Sequence, residues 1–166
     1  PADANEVKMA WLAALRYKGP TAFVFSRQNL PELPGTKVSY AEGVGRGAYI
    51  LKKEKRTPDF TLIATGSEVS LACDVAEALE KRGKSVRVIS MPCWELFEEQ
   101  DQSYKDKVLP PNVKKRLAIE AASPMGWQLW VGDDGIEHDH ACPRHYVLDR
   151  GFARAWKACG GLRSGT

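Results

Sequence analysis

The sequence predicts an α/β fold built on a mostly parallel sheet. Residues 60–92 have the pattern of a strand, a helix and a second strand, and two strands joined in this way are expected to be parallel. Strand and helix patterns also alternate along the rest of the chain, as is typical of this fold class. A turn-rich stretch at residues 32–46 separates a first helix and strand from the later elements. We interpret it as a linker, so the break near Thr36 predicts that the first helix and strand belong to a different domain.

The chain opens with a predicted amphipathic helix. Asp3 and Glu6 have the spacing of a capping box, and apolar residues then recur at steps of four until a Gly-Pro pair ends the pattern after Tyr17. A short, almost wholly apolar strand is predicted at residues 21–26, of the kind that is buried on both faces. The first residue is not a methionine, which indicates a piece of a longer protein.

The central unit is defined by its turns. Phe60–Ala64 is an apolar run of strand length, Ser67 is a suitable helix N-cap, and Gly83 follows two cations where a helix is expected to stop. Residues 85–91 then form a second buried strand. The helix between them has one apolar face, made of Val69, Ala72, Val75, Ala76 and Leu79.

Shorter elements complete the predicted fold. They are an edge strand at residues 47–51, helices at residues 93–99 and Gln102–Val108, a strand at Arg116–Glu120 and a brief helix at residues 125–131. From Gly132 onward the chain is rich in glycine and charge, and its periodicity is weak.

Composition restricts the class of protein. The 166 residues are enough for one ordinary domain with a sizeable core. The net charge is +3, from 24 basic and 21 acidic side chains, and no apolar run approaches the roughly 18 residues of a membrane span. We therefore expect neither a nucleic acid nor a membrane as a partner. The four cysteines have no paired short spacing, so reduced thiols in an intracellular protein are expected rather than a disulfide framework.

Arg27 is the leading candidate for a binding residue. It comes directly after the predicted strand at residues 21–26, and ligands of open α/β sheets bind at the carboxyl ends of strands. Its guanidinium offers a fixed fork of donors to a phosphate or a carboxylate. From position alone, a surface arginine in a salt bridge remains the alternative.

The turn at residues 65–68 (TGSE) is a second place where an anion could bind, because it leads into a helix N-terminus. It lacks the glycine spacing of a dinucleotide site and the Lys-Ser/Thr of a P-loop. Glu68 would also repel a phosphate. A capped structural turn is the favoured interpretation.

Two other groups carry residue types that are used in chemistry. One holds zinc-ligand types at a spacing that matches no zinc signature, so a surface loop is favoured: His138, His140, Cys142 and His145. The other is the predicted helix after Pro92, where three carboxylates are interpreted as a solvated face: Glu95, Glu98 and Glu99. Cys93 starts that helix, a position that can lower a thiol pKa, but no histidine lies nearby in sequence to act as a base. No nucleophile, base and orienting group are assembled by the pattern.

Six short motifs, in the same order along the chain, resemble those of the transketolase family. They are PADANE at residues 1–6, SRQNLP at 26–31, LIATGSEVSL at 62–71, VISMPCWELF at 88–97, VLPP at 108–111 and MGW at 125–127. The resemblance extends over roughly residues 1–133. It implies three layers, with helices on both faces of a mostly parallel sheet.

The resemblance also implies a domain division. Residues 1–35 would be the last helix and strand of a pyrimidine-binding domain, residues 36–58 a linker and edge strand, and residues 59–166 a C-terminal domain. The tail at residues 134–166 departs from the family pattern, which leaves its last strand and helix in doubt. A reading-frame error in the source sequence would explain the departure and would make the His/Cys cluster accidental.

Transketolases transfer a two-carbon ketol unit between phosphorylated sugars in the pentose phosphate pathway and, in plants, the Calvin cycle. Their cofactors are thiamine diphosphate and Mg²⁺ or Ca²⁺. The resemblance implies that this chain is part of such an enzyme, which would be a homodimer in the cytoplasm, a plastid or another organelle. Catalytic groups and the residues that hold the cofactor and its metal would lie in preceding parts, so none is assigned here. The chain alone is expected to be inactive and to bind no cofactor.

One functional residue follows from the resemblance. The arginine of the family's SRQNLP motif contacts the phosphate of the sugar substrate, and in this sequence it is Arg27. Two alternatives stay open. Dihydroxyacetone synthase shares the architecture and the chemistry, and a non-catalytic module that pairs or regulates subunits would need no catalytic set at all.

Overall fold

A twisted sheet forms the middle layer of the fold. It is seen in a computed structural model that describes residues 1–121, 123, 125–132 and 136–139. Within those residues the sheet has five strands in the order β1-β3-β2-β4-β5. They are β1 (Tyr49–Lys52), β2 (Phe60–Ala64), β3 (Val86–Ser90), β4 (Arg116–Glu120) and β5 (Ile136–Asp139). The edge strand β1 is antiparallel to β3, and the other neighbours are parallel, so the predicted fold class is confirmed.

Five helices lie around this sheet in the described part of the chain. They are α1 (Ala4–Arg16), α2 (Glu68–Glu80), α3 (Trp94–Glu98), α4 (Gln102–Val108) and α5 (Gln128–Val131). Two short 3-10 turns, Pro34–Thr36 and Val44–Arg46, connect α1 to β1. The predicted helices and strands are all present except for the first strand.

One face of the sheet packs against α2. Alternate side chains of β2 and β3, such as Leu62 and Val88, are buried against the α2 residues Val69, Ala72 and Ala76. These are three of the five residues predicted for the apolar helix face. The other two, Val75 and Leu79, are partly buried against the same cluster.

The opposite face packs against the short helices. Ile63 and Ile89, which are one residue out of phase with the α2-facing positions, contact a cluster that includes Phe97, Val108 and Trp127. Helices therefore cover both faces of the sheet. The three-layer arrangement is confirmed.

The predicted strand at residues 21–26 does not form. These residues adopt no regular element and pair with no strand in the described part of the chain. A strand depends on a neighbour for its hydrogen bonds and for the burial of its faces, and here Val24 remains 85% exposed. The prediction of a strand buried on both faces is therefore wrong for the described residues.

The stretch at residues 32–46 differs from the exposed linker that was predicted. Leu33, Thr36 and Val44 are buried, and the first two lie beside the N-terminus of α1. Met9 and Ala10 of α1 pack against the same cluster as α2. The first helix is thus bound to the fold that follows it, and the domain boundary near Thr36 stays a prediction.

Ser67 is the other local correction. It precedes α2 as predicted, but its backbone is helical and its side chain caps no N–H group. The hydroxyl instead donates to the Glu68 carboxylate at 2.8 Å. Gly83 behaves as predicted, since its φ of 75° is the left-handed conformation that ends a helix.

The last described strand lies in the tail. The backbone of β5 pairs with β4 in parallel, so a final strand exists where the family pattern fades. His138 falls on this strand, whereas His140, Cys142 and His145 lie outside the described residues. In the part of the chain that can be described, no helix has the length and apolarity to cross a bilayer.

Candidate anion-binding segment at Arg27

Arg27 lies in an exposed segment that directly follows residues 21–26. Within the described residues its guanidinium takes part in no salt bridge or hydrogen bond. The backbone turns just there, because the N–H of Gln28 donates to the Ser26 hydroxyl at 3.2 Å. The salt bridge that was the alternative interpretation is therefore not observed, and the donor fork of Arg27 is available to an anion.

The segment is held on its upstream side by aromatic contacts. The ring of Phe23 lies 4.6 Å from that of Trp11, measured between centroids, and Phe25 stacks on Phe23 at 5.4 Å. Such pairs add about 0.5–1.5 kcal/mol beyond the area they bury. Arg27 is only two residues beyond Phe25, so the chain just before it is held near the middle of α1 through the Trp11 contact.

The downstream side is held by a buried carboxylate. Asp3 is 3% exposed, and its Oδ2 accepts the N–H of Leu33 at 2.9 Å and the hydroxyl of Thr36 at 2.6 Å. Its Oδ1 accepts the N–H of Glu6 at 3.0 Å, so the same side chain is the N-cap of α1. The predicted cap is confirmed, and its second role as an anchor for a distant segment was not predicted.

Thr36 completes this anchor. Its single hydroxyl proton has two acceptors in reach, Asp3 at 2.6 Å and the carbonyl of Leu33 at 2.7 Å, and the charged acceptor is the stronger. The hydroxyl oxygen itself accepts from the amide of Asn5 at 3.0 Å. Both ends of the 3-10 turn are thereby tied to the first turn of α1.

Glu6 connects this region to the sheet. Its side chain is 1% exposed and accepts from the hydroxyls of Tyr49 on β1, at 2.8 Å, and Ser90 on β3. It also accepts the N–H of Ala2 at 2.7 Å rather than that of the N-cap residue, which is a departure from the predicted capping box. No salt bridge among the described residues includes Asp3 or Glu6, so neutral donors and the positive end of α1 satisfy both carboxylates.

The other sequence candidates have structural explanations. Gly66, in the turn before α2, has a φ of 56°, and the hydroxyl of the next residue, Ser67, donates to the Glu68 carboxylate. Both features agree with a structural turn. Burial raises the pKa of the Cys93 thiol, contrary to the lowered value that its position at a helix start suggested. Its Sγ lies 3.4 Å from the Glu95 carboxylate, an arrangement that favours the neutral thiol. Phe97 is fully buried, and the glutamates of that short helix face outward as predicted.

Two arginines, one buried (Arg87) and one partly buried (Arg116), were missed by the sequence reasoning, and both are structural. Arg87 of β3 pairs with Glu54 and also donates to the carbonyls of Lys107 and Val108. Arg116 donates to carbonyls only, four in number, at the start of β4. An arginine within an otherwise apolar strand was the available signal, since a buried cation requires a full set of partners.

The described residues do not assemble a metal site. No three His, Cys, Asp or Glu side chains among them converge as ligands. Asp3 and Glu6 do lie together, but their oxygens are used by the donors described above.

Comparisons with known proteins agree with this architecture. Residues 47–140 match the family described as the transketolase-like TK C-terminal domain. The chain is 52% identical over 136 residues to the transketolase of Staphylococcus aureus strain MW2, a match that includes 81% of this chain and 20% of that protein. It is 50% identical over 137 residues to the transketolase of Aquifex aeolicus, with 82% and 20% covered. The solved transketolase of Leishmania mexicana superposes with a TM-score of 0.73 at 35% identity, over 96% of this chain and 22% of that one. The chain thus spans about a fifth of the length of the curated relatives that it matches.

Proposed function

The chain belongs to the transketolase-like C-terminal domain family, and on that premise we propose that it acts as the C-terminal part of a transketolase. The complete enzyme would transfer a two-carbon ketol unit between phosphorylated sugars. The observation that carries the proposal is the identity of about half of all residues over 136 positions to proteins named transketolase. Dihydroxyacetone synthase, the related alternative, is not favoured by these matches.

Arg27 would bind the phosphate of the sugar. Three features support this role: the guanidinium is exposed, it is not engaged by any described side chain, and the segment around it is fixed on both sides by α1. Arginine binds phosphate through two parallel charge-assisted hydrogen bonds, which fix orientation as well as position. Holding the distant end of the substrate in this way would place the reacting carbonyl in a productive geometry.

Thiamine diphosphate and a divalent metal would be supplied by the remainder of such an enzyme. The described residues do not fit this group, because their buried carboxylates are already satisfied by N–H and hydroxyl donors. This chain would therefore contribute substrate binding and structure rather than the cofactor site. A homodimer in the cytoplasm belongs to the same proposal.

An exposed apolar face would be where that remainder packs. Trp11 is 51% exposed, Leu15 79% and Val24 85%, and they lie on α1 and on the segment at residues 21–26 beside it. Apolar side chains at this density are typical of an interface rather than of a free surface. A non-catalytic pairing module would also use such a face, so activity has to distinguish the two functions.

The experiment is a chimera in which this chain replaces the matching stretch of the S. aureus transketolase. We expect the chimera to transfer a ketol unit from a phosphorylated ketose to an aldose phosphate. The isolated chain should show no transfer. The matched control is the S. aureus enzyme truncated before the same stretch. A chimera that folds and assembles without transferring the ketol unit would contradict the proposal and favour the pairing module.

A further inference from the structure

The segment that carries Arg27 is a loop closed by one carboxylate. It leaves the C-terminal end of α1 after Tyr17 and returns to the opposite end of the same helix, where Leu33 reaches Asp3. The carboxylate accepts three hydrogen bonds, one from the helix and two from the returning segment. Helix capping alone would need only the first of these.

From this geometry we propose that Asp3 is a positioning residue for Arg27. The inference rests on the proposed phosphate-binding role of Arg27 and adds the residue that holds it in place. Asp3 never contacts the substrate. It fixes the downstream end of the loop, while Phe23 and Phe25 fix the upstream end on Trp11.

A carboxylate is the group that this position requires. Leu33 and Thr36 present an N–H and an O–H to the same oxygen of Asp3, and Glu6 presents an N–H to the other. An asparagine has one acceptor oxygen and an NH₂ group. It can cap the helix through the oxygen, but its NH₂ group then faces the N–H of Leu33 and the hydroxyl of Thr36, which are also donors. The two functions of Asp3 are therefore separable by one substitution.

The loop anchor is in turn fixed to the core. Asp3 and Glu6 belong to the same first turn of α1, and Glu6 is bonded to β1 and β3. The point at which the Arg27 loop returns to α1 is thus tied to the sheet through the first turn of that helix. Small errors in the position of a substrate-anchoring group lower turnover strongly, because the reacting atoms are no longer aligned.

The test uses the complete chimeric enzyme with Asp3→Asn, Thr36→Val, Arg27→Ala and the double variant Asp3→Asn/Arg27→Ala. We expect Asp3→Asn and Thr36→Val to raise KM for phosphorylated sugars by roughly tenfold, the scale of one charged hydrogen bond, and to leave a non-phosphorylated hydroxyaldehyde acceptor nearly unchanged. In the Arg27→Ala background, Asp3→Asn should cause no further loss on phosphorylated sugars, because the group that it positions is gone.

The matched control is Asp101→Asn. Asp101 is the N-cap of α4 and accepts the N–H of Tyr104 at 2.8 Å, so the same chemical change is made at a cap without the Arg27 loop. It should not alter the preference for phosphorylated substrates.

Each outcome separates the two ideas. If Arg27→Ala leaves the preference for phosphorylated sugars intact, the phosphate-binding role is overturned, and the positioning role with it. Alternatively, Arg27→Ala removes the preference while the Asp3 and Thr36 variants lower activity on both substrate classes equally, or while the effect of Asp3→Asn adds fully to that of Arg27→Ala. In either case only the positioning role is overturned. Should Asp3→Asn fail to fold, Thr36→Val still decides, since it keeps the cap and the Leu33 bond.

Discussion

The Tyr49 hydroxyl donates a 2.8 Å hydrogen bond to the Glu6 carboxylate and so joins the first helix to the edge strand of the sheet. Both side chains are fully buried. Burial and the adjacent Glu6 charge raise the pKa of Tyr49, which favours the protonated phenol as the hydrogen-bond donor. With Ser90 as the second hydroxyl donor, this contact joins α1 to both β1 and β3.

The first prediction concerns this bond. Tyr49→Phe should lower the free energy of unfolding by about 1–3 kcal/mol, because a buried carboxylate loses one of its donors. Tyr17→Phe is the control: Tyr17 is 59% exposed, and its substitution should change the free energy of unfolding by no more than about 0.5 kcal/mol. Urea unfolding followed by circular dichroism measures both. Equal effects would show that the Glu6 contact contributes little.

The second prediction concerns the chemistry of Arg27. In the chimeric enzyme, Arg27→Ala should raise KM for phosphorylated sugars by about one to two decades, the loss of a charged hydrogen bond. Arg27→Lys keeps the charge but not the planar fork, so it should recover only part of the loss. Steady-state kinetics with phosphorylated and non-phosphorylated donors gives the comparison. An equal loss on both donors would argue against a phosphate contact.

The third prediction compares two glycines with similar positive φ angles. Gly47 has a φ of 81°, and a Cβ there would meet the backbone N of Phe97 and the carbonyl oxygen of Cys93. Gly83 has a φ of 75°, and a Cβ there meets nothing within 4 Å. Gly83→Ala should therefore cost only the left-handed strain, about 1–2 kcal/mol, whereas Gly47→Ala should cost clearly more. Thermal unfolding of the two variants would reveal the difference, and similar melting temperatures would contradict the close approach at Gly47.

The fourth prediction is a pH dependence. Hydrogen bonding to Arg87 lowers the pKa of Glu54 below its ordinary value of 4.5. The stabilisation is therefore complete above that pH and is lost as the pH falls through the folded-state pKa. Glu54→Gln should destabilise the protein by about 1–3 kcal/mol at neutral pH and should flatten the decline of stability in acid.

Glu80→Gln is the control for this ion pair. Glu80 pairs with Lys52 at 2.9 Å, but both side chains are about a quarter exposed, so its removal should cost less than about 1 kcal/mol. Urea midpoints measured at neutral and at acidic pH distinguish the two variants. A Glu54→Gln protein with an unchanged acid profile would show that the pair does not control acid stability.

The fifth prediction is that the chain alone does not bind thiamine diphosphate. Among the described residues, the buried carboxylates of Asp3 and Glu6 are satisfied internally, and no three His, Cys, Asp or Glu side chains form a metal cluster. Titration calorimetry with thiamine diphosphate and Mg²⁺ should show no saturable heat, with the complete S. aureus transketolase as the positive control. Saturable binding to the isolated chain would contradict the proposal that the remainder of the enzyme supplies the cofactor site.

The sequence predicted the elements whose signals are local. The bounds of β2, β4 and α4 were predicted to the residue, because the signals that define them lie in a few neighbouring positions. Residues 21–26 were predicted as a strand, yet strand formation depends on a partner that no local pattern reveals.

The same difference between local and long-range signals applies to the candidate site. The phosphate-binding assignment of Arg27 came from a motif and stays a prediction, whereas its anchorage could not be predicted. Asp3 and Leu33 are 30 residues apart, and Glu6 and Ser90 are 84 apart. An aspartate at a helix start gives no sign in the sequence that it also accepts bonds from a remote loop.

The long reach of Glu6 has a consequence for synthesis on the ribosome. Its partner Ser90 is made 84 residues later, so α1 cannot complete its contacts until β3 has emerged. At about 5–20 residues per second, the delay is roughly 4–17 seconds. Throughout that interval the newly made helix lacks the complete core against which Met9 and Ala10 pack, and the Glu6 carboxylate does not yet have both of its hydroxyl donors.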